Sequence, residues 1–562
     1  MKKNCFWKKH RITALFTAAA VGMGLLAGCG TNEGKESGAQ ASAENTAQHG
    51  AETAAVVNET GMPIVNEPIT LKVLIETSPL YPISPELWYF KQMEELTGIR
   101  WEIECVDNDQ WKERKSLIFA SQDLPDIIIA TPQNFDTGDI ITYAGAKQLI
   151  PLNELLDNYA PNYMGLLEKY PESRKLYAPD GNMYGLNGTF AGGNLDTLGA
   201  RCFLNTAWLE TAGLSMPQTY EEFYEALVAM RDGDLDGNGE NDTIPLSGTN
   251  NQYSVDPFVA GPLGIPFTSV ASRWMTEGDR IVYVPASDIY VEYLKRMKQL
   301  FDEKLLDQEY FTQNEEQLRA KGAAMQLGAY SYSAHFVMTG STDPAVYGQY
   351  EVINPLTSEW NEEKVWYGDA VRMPNIFITS ANPYPEATIR YFDYAFSDEG
   401  SEMFTGPEYG QWEGEGGLKW NEDHTKCEYV TPEGYNGMWD YLCKEIAPLA
   451  VEFQGNSQYG DVWGSMQYTP EDTSFKSQMK ERIAPYLKQE FPQLFFTIEE
   501  REEVALVLDE IKNYTAQMEV KFITGEEPIE NHPQFVETLN SMGLERLIEL
   551  YQGAYDRYLS AG

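Results

Sequence analysis

The chain has 562 residues, with 85 Asp and Glu against 41 Lys and Arg, a formal charge of −44, and 43 % hydrophobic residues. That acidity excludes a nucleic-acid binder, whose affinity rests on cations neutralising phosphates, and the apolar and aromatic content excludes an acidic disordered chain. Six cysteines are too few for a disulfide scaffold, and the length suits two to four domains or lobes of about 150 residues.

Met1 to Arg11 carries five positive charges (Lys2, Lys3, Lys8, Lys9 and Arg11) and no acid. An uncharged, mostly apolar run over 12–27 follows and ends in Leu26-Ala27-Gly28-Cys29. A basic start, a short apolar centre and small residues at the cut describe a secretory signal peptide over 1–28. The run is shorter than the ~20 residues that span a bilayer as a stable helix; an uncleaved N-terminal anchor is the alternative. Leu-Ala-Gly-Cys resembles a bacterial lipobox. The resemblance implies that Cys29 becomes the new N-terminus and carries a diacylglycerol thioether, and two acyl chains anchor stably where one is marginal. Residues 29–65, rich in small and polar types and free of aromatics, read as a flexible tether. Loss of 1–28 with its five positive charges takes the formal charge from −44 to −49.

The folded part opens as an α/β pattern. Ile69 to Ile75 is a β-branched apolar run and predicts a buried strand. Ser84-Pro85 predicts a helix start, with Tyr89, Met93 and Leu96 on one face and Gly98 ending it. A second strand over 99–106, a helix over 111–120 and a third strand over 124–129 follow. Strands alternating with helices imply a parallel sheet, whose ligands bind outside the carboxyl ends of the strands; the loops at 77–83, 107–111 and 131–135 are therefore the first candidates for a site. Farther on, 289–301, 386–396 and 499–522 have helical apolar periodicity, and the last fifty residues read as wholly helical.

Short pieces in a fixed order along the chain carry a family resemblance. They are Phe119-Ala-Ser-Gln-Asp-Leu-Pro-Asp-Ile-Ile128, Leu149-Ile-Pro-Leu-Asn-Glu-Leu-Leu156, Asp180-Gly-Asn-Met-Tyr-Gly185, Asn205-Thr-Ala-Trp-Leu209 and Pro217-Gln-Thr219. Asn382-Pro-Tyr-Pro-Glu386, Phe522-Ile-Thr-Gly525 and Tyr551-Gln-Gly-Ala-Tyr-Asp-Arg-Tyr558 complete the set. With them the chain resembles a family 1 extracellular solute-binding protein, the lipoprotein receptor of a bacterial ABC importer, in the subgroup that binds oligosaccharides and alginate oligosaccharides. The resemblance implies a two-lobed, periplasmic-binding-protein-like α/β fold of type II with a helical C-terminus. The solute would sit in a cleft between lobes that close by a hinge. By analogy, lobe one spans 66–195 with 366–405 and lobe two 196–365 with 406–562. Implied partners are a carbohydrate, the permease subunits and the membrane through the lipid anchor, with a monomeric receptor on the extracytoplasmic face.

One metal site follows from chemistry. Calcium takes six to eight oxygen ligands, and an EF-hand-type loop supplies them at alternate positions with Gly at the sixth. Read from Asp234, the ligands are Asp234, Asp236, Asn238, the carbonyl of Glu240, and Asp242, with Gly239 sixth; Thr243 stands where the family carries Glu. A frame starting at Asp232 is the alternative, and an acidic loop without metal is the plain reading. A calcium here would be structural.

Sugars present apolar faces and many hydroxyls, so their sites pair aromatic rings with amides and carboxylates. Tyr330 and Tyr332 end a segment that resembles the family's strand into the cleft. Trp366 lies at the expected second crossing between lobes, and Trp111, Trp274, Trp412 and Tyr81 fall on loops; for all of these, core packing is the competing reading. Trp208 reads as core. Catalysis finds no support: His335, His424 and His532 are scattered, and neither a nucleophile elbow nor a phosphate loop occurs. A surface glycoside hydrolase needs only two carboxylates and is the rival from another class; a peptide or signalling-ligand receptor is the rival on the same fold. Cys427 and Cys443 are either an extracellular disulfide or two buried thiols.

Overall fold

The computed structural model describes residues 56–560 apart from 78–82, 189–200, 236, 238, 240–241, 252, 267–272, 342, 369–372, 413–415, 423–426, 436–437, 449–476 and 490. The strand Ile69–Thr77 lies between Ile99–Asp107 and Ile127–Ile129, parallel to both, and Ile376–Ile378 adds an antiparallel edge. Alternate side chains of a strand point to opposite faces, and here both faces are covered. Val73, Ile75, Ile127, Ile129, Ile376 and Ile378 enter one apolar core, while Leu74, Ile128 and Phe377 enter another. That double burial explains why these strands are continuous apolar runs rather than alternating ones.

The second sheet orders Ile244–Ser247, Leu327–Tyr332, Arg201–Asn205 and Tyr350–Val352. Ile244–Ser247 runs parallel to Leu327–Tyr332, and Arg201–Asn205 runs antiparallel to both of its neighbours. Its core takes in Leu246, Ala329, Phe203 and the apolar stripe Tyr290, Tyr293, Leu294, Met297 and Leu300 of the helix Asp288–Asp302. The C-terminal helices His532–Ser541 and Leu544–Ser560 pack into the same core through Phe535, Leu539, Leu547 and Leu550. The chain is thus two-lobed, one lobe on each sheet. Tyr441, Leu442, Cys443, Ile446 and Ala447 pack in the core of the first sheet although they follow residue 405.

Several pieces that carry the family resemblance are devices of local structure. Asp126, in Leu-Pro-Asp, accepts the backbone N–H of Lys72 at 2.7 Å and ties two strands at their starts. Asn205 caps the helix Thr206–Ala212 through the Trp208 N–H. Thr219 and Glu222 form a reciprocal capping box, a device whose loss costs about 1 kcal/mol. Gly525 ends the helix Ile498–Thr524 at φ 80°, where a side chain would be strained. Ser84 accepts the Glu86 N–H in a turn, and the helix begins at Trp88 rather than beside Ser84.

Three features bear on the site. First, Ile498–Thr524 spans 27 residues, about 40 Å at 1.5 Å per residue. Val504, Ile511 and Phe522 bury it in the second core, while Arg501 near its start bonds the Gly138 carbonyl and the Thr142 hydroxyl of the helix Thr137–Gly145. Second, a buried cluster stands behind it. Arg273 meets Asp256 at 3.3 Å and Glu519 at 2.8 Å, while the Tyr293 and Tyr290 hydroxyls donate to those carboxylates, each at 2.6 Å. Third, a bridge between Val57 and Val65 closes an N-terminal hairpin. The Ile64 N–H donates to the Thr97 carbonyl at 3.0 Å, and Arg390 grips the Asn58 and Gly61 carbonyls.

Candidate functional site: rims at two carboxyl edges

The described ends of the segment that joins the sheets lie at the carboxyl ends of strands. Leu186 pairs with Ile376, and the Gly188 N–H donates to Asn375 Oδ1 at 2.7 Å. Ile376 in turn stands opposite Ile129, the last residue of its strand. The chain therefore leaves the first sheet at its carboxyl edge. It enters the second at Arg201, which stands opposite Tyr332, the last residue of Leu327–Tyr332. Both residues flanking the crossing thus stand at carboxyl edges, the edges at which an α/β sheet takes its ligand.

On the first rim the organising group is Glu76, which is 3 % exposed. Its carboxylate accepts the Thr131 N–H at 2.7 Å, the Thr131 hydroxyl at 2.9 Å and the Asn134 side-chain amide at 2.7 Å. Asn108, oriented with its nitrogen inward, donates to the same carboxylate at 3.1 Å and to the Thr77 carbonyl at 2.8 Å. Behind it the Trp111 indole N–H and Lys115 Nζ both donate to the Asn134 carbonyl, at 3.0 and 2.7 Å, and Lys115 pairs with Asp139. One carboxylate thus ties the loop at 131–135 to the start of the helix Asn108–Ser121; the stretch 107–111, expected as a loop, is the end of the strand and the first turn of that helix. Glu76 itself was missed; its signal is a lone acid near the end of an otherwise apolar strand.

On the second rim Tyr332 donates to Glu315 and packs on Tyr253, ring centroids 4.4 Å apart. Arg201 donates to the Ser333 carbonyl at 2.9 Å. Rims of amides, hydroxyls and carboxylates beside tyrosine rings suit a ligand with many hydroxyls.

Five of the expected solute contacts are core side chains, among them Tyr332, which is 2 % exposed and lies in the second core. Tyr330 has no exposed surface, and its ring packs on Phe203 and Tyr350 at 5.3 and 5.0 Å. Trp111 is also fully buried, and it supports the rim loop from behind rather than facing the cleft. Trp274 stacks on Tyr551 at 4.0 Å, and Trp366 lies in the second core at 7 % exposure. Large rings contribute most when buried, and here packing took them. Trp412 is half-buried beside the first core, and Tyr81 lies outside the described residues. Cys29 does too.

In the acidic loop, Asp236, Asn238 and Glu240 lie outside the described residues. The remainder matches one frame. Asp234 accepts the Gly239 N–H at 3.1 Å, first residue to sixth, and Gly237 and Gly239 take φ 71° and 83°. Asp232 instead ends the helix Tyr220–Asp232 and pairs with Arg231 at 2.7 Å. Asp242 accepts from Gln326 at 3.1 Å, and the Thr243 hydroxyl donates to the Met230 carbonyl at 2.7 Å, so its proton points away from the loop. Cys427 and Cys443 are present as thiols, and burial pushes the Cys443 thiol up to about 12. His335 is buried among aromatic rings, and desolvation holds it down at about 4.

The family described as "Bacterial extracellular solute-binding protein" matches residues 77–402. The fructooligosaccharide ABC transporter substrate-binding protein FusA of Streptococcus pneumoniae is 25 % identical over 513 residues, 88 % of this chain and 91 % of that protein. Its solved structure with kestose superposes with a TM-score of 0.70 at 23 % identity, covering 88 % of this chain and all of that one. An EF-hand mutant of FusA with fructo-nystose gives 0.68, with the same identity and coverage. A human-milk-oligosaccharide (HMO) binding solute-binding protein from Bifidobacterium longum infantis gives 0.71 at 18 % identity, over 88 % of this chain and 99 % of that one. Lipoprotein LipO of Bacillus subtilis is 25 % identical over 232 residues, 40 % of this chain and 42 % of that protein. Among the described residues no helix is long and apolar enough to cross a membrane.

Proposed function

Because the chain belongs to the bacterial extracellular solute-binding protein family, we propose that it captures an oligosaccharide outside the cytoplasmic membrane and presents it to an ABC transporter permease. The observation that carries this reading is the pair of rims at the carboxyl edges of the two sheets, built from buried carboxylates that orient amides and hydroxyls. FusA, similar over nearly its whole length and named for fructooligosaccharides, supports the same class of solute. The lobes are those of the two sheets, the receptor is a monomer, and it binds without catalysing a reaction.

Cys29 is the lipid attachment site in this reading, and the leader that ends in Leu-Ala-Gly-Cys supports it. The loop Asp234 to Asp242 holds a structural calcium through Asp234, Asp236, Asn238, the Glu240 carbonyl and Asp242. The Asp234 to Gly239 hydrogen bond and the two left-handed glycines support that frame, as does the EF-hand named for FusA. Thr243, whose proton is committed to Met230, leaves a coordination position to water.

A thermal-shift series with kestose, human-milk oligosaccharides, alginate oligomers and short peptides tests the proposal. A ligand that binds only the folded state raises the melting temperature by mass action. At least one oligosaccharide raises it and peptides do not; the reverse pattern, or new reducing ends on prolonged incubation, would overturn the reading.

A further inference from the structure

The second rim contains a loop whose support exceeds what its length requires. Gly248 to Tyr253 follows the last residue of the strand Ile244–Ser247. Ser247 is fully buried and donates to Asp307 at 2.7 Å. Lys321 meets the same carboxylate at 2.7 Å, and the Gln313 amide reaches it at 3.2 Å. Gln313 also donates to the Gly248 carbonyl at 2.6 Å and accepts from Lys321 at 2.8 Å. Within the loop the Thr249 N–H closes on the Tyr253 carbonyl at 2.9 Å, and a side chain at Gly248 would collide with that carbonyl oxygen. Burying a charged pair with an amide carries a desolvation cost that a plain surface turn does not need.

This scaffold holds up two adjacent amides, Asn250, half-buried, and Asn251, exposed. Thr249 donates its hydroxyl to the Asn251 side-chain oxygen, which leaves the Asn251 NH2 turned outward. Asn250 makes no intramolecular hydrogen bond among the described residues. Asn251 bonds only within its own loop, and both amides stand on a braced loop at a carboxyl edge. Side chains braced in this way from a second layer are placed accurately enough to select a ligand.

We propose that Asn250 and Asn251 are specificity-determining contacts that read sugar hydroxyls, and that Gln313 is the positioning residue that aims them. The inference rests on the oligosaccharide reading above and assigns it residues. An amide offers both donor and acceptor to a hydroxyl without demanding charge, so the loop selects neutral sugars over uronates, whose carboxylates would call for cations.

Calorimetric titration with kestose, the human-milk oligosaccharides and the alginate oligomers tests it. Asn250→Ala and Asn251→Ala each weaken binding of a neutral oligosaccharide about five- to tenfold, the worth of one or two lost neutral hydrogen bonds. Without sugar the melting temperature of Asn250→Ala stays at the wild-type value and that of Asn251→Ala, which loses its bond to Thr249, falls only slightly, and a surface control, Asn158→Ala, binds as wild type. Gln313→Met also weakens binding, and combining it with Asn251→Ala weakens it no further than the larger single effect, since Gln313 acts through the loop. Wild-type affinity in both Asn variants, or additive losses in the double variant, would overturn the inference while leaving the oligosaccharide reading intact. Preference for alginate oligomers would overturn the neutral-sugar selection. A wild-type protein that binds no oligosaccharide would overturn the reading beneath it.

Discussion

Arg273 pairs with two carboxylates, Asp256 and Glu519, that lie deep in the second lobe. Its side chain is 6 % exposed and those of Asp256 and Glu519 are 2 % and 5 %. Arg273→Met removes the charge at similar volume and leaves both carboxylates behind. Removing one partner of a buried pair costs about 3–5 kcal/mol, and two carboxylates depend on this one guanidinium, so about 4 kcal/mol is expected at pH 7. Part of that loss returns in acid. Burial, reinforced by Asp256, already pushes the Glu519 carboxyl up against the pull of Arg273. Without the arginine the Glu519 carboxyl rises further, so the folded state binds more protons than the unfolded one. Stability then falls as pH rises and recovers as pH drops from 7 towards 5. Adding Asp256→Asn and Glu519→Gln to the variant should restore most of the loss at pH 7. The measurement is urea unfolding followed by circular dichroism. Amide exchange over Asp288–Asp302 and Ile498–Thr524 accompanies it, because a two-lobed chain need not unfold in one step. A loss below about 1 kcal/mol, or one equal at pH 5 and 7, would refute the account of the cluster as a charge balance.

Three further outcomes are expected. Glu76→Gln keeps the shape but turns an NH2 towards the donors of Asn108, Asn134 and Thr131; it should cost about 2–3 kcal/mol and weaken oligosaccharide binding at least tenfold, read by urea unfolding and titration calorimetry. Calcium should raise the melting temperature of the wild type and a chelator should lower it, while Asp234→Ala should be indifferent to both. Arg501→Ala should speed amide exchange in the helix Thr137–Gly145; with a third of the side chain exposed, its effect on global stability stays below about 1 kcal/mol.

The order of strands and helices over 69–129 was legible because apolar runs and helical periodicity are signals of neighbouring residues. The extent of each was less so: the strand expected over 124–129 is Ile127–Ile129, since Leu124-Pro-Asp forms the turn whose Asp126 holds Lys72. Trp208 is in the core as read. Tyr330, Trp111 and Trp274 went the other way because an aromatic residue in an uncertain loop or strand looks alike whether its ring lines a cleft or fills a core. The rims were half visible. Two stretches of the first rim were expected from strand direction, yet Glu76 reaches Thr131 and Asn134, and Asp307 reaches Ser247, across more than fifty residues of sequence, where no local pattern reaches. The run Gly248-Thr-Asn-Asn directly after a buried strand was the one local hint of the second rim.

The hairpin closed by Val57 and Val65 has a mechanical consequence. It grips the first sheet at the amino ends of Ile69–Thr77 and Ile99–Asp107, and each of those strands is nine residues long, about 30 Å. A pull arriving through the residues before Val56 is borne by the hairpin's own bonds, by Arg390 and through it by the helix Pro385–Ala395. The load therefore enters a full strand length from Glu76 and the rim loops. Tension at that end of the chain leaves the edge that would hold the solute undistorted.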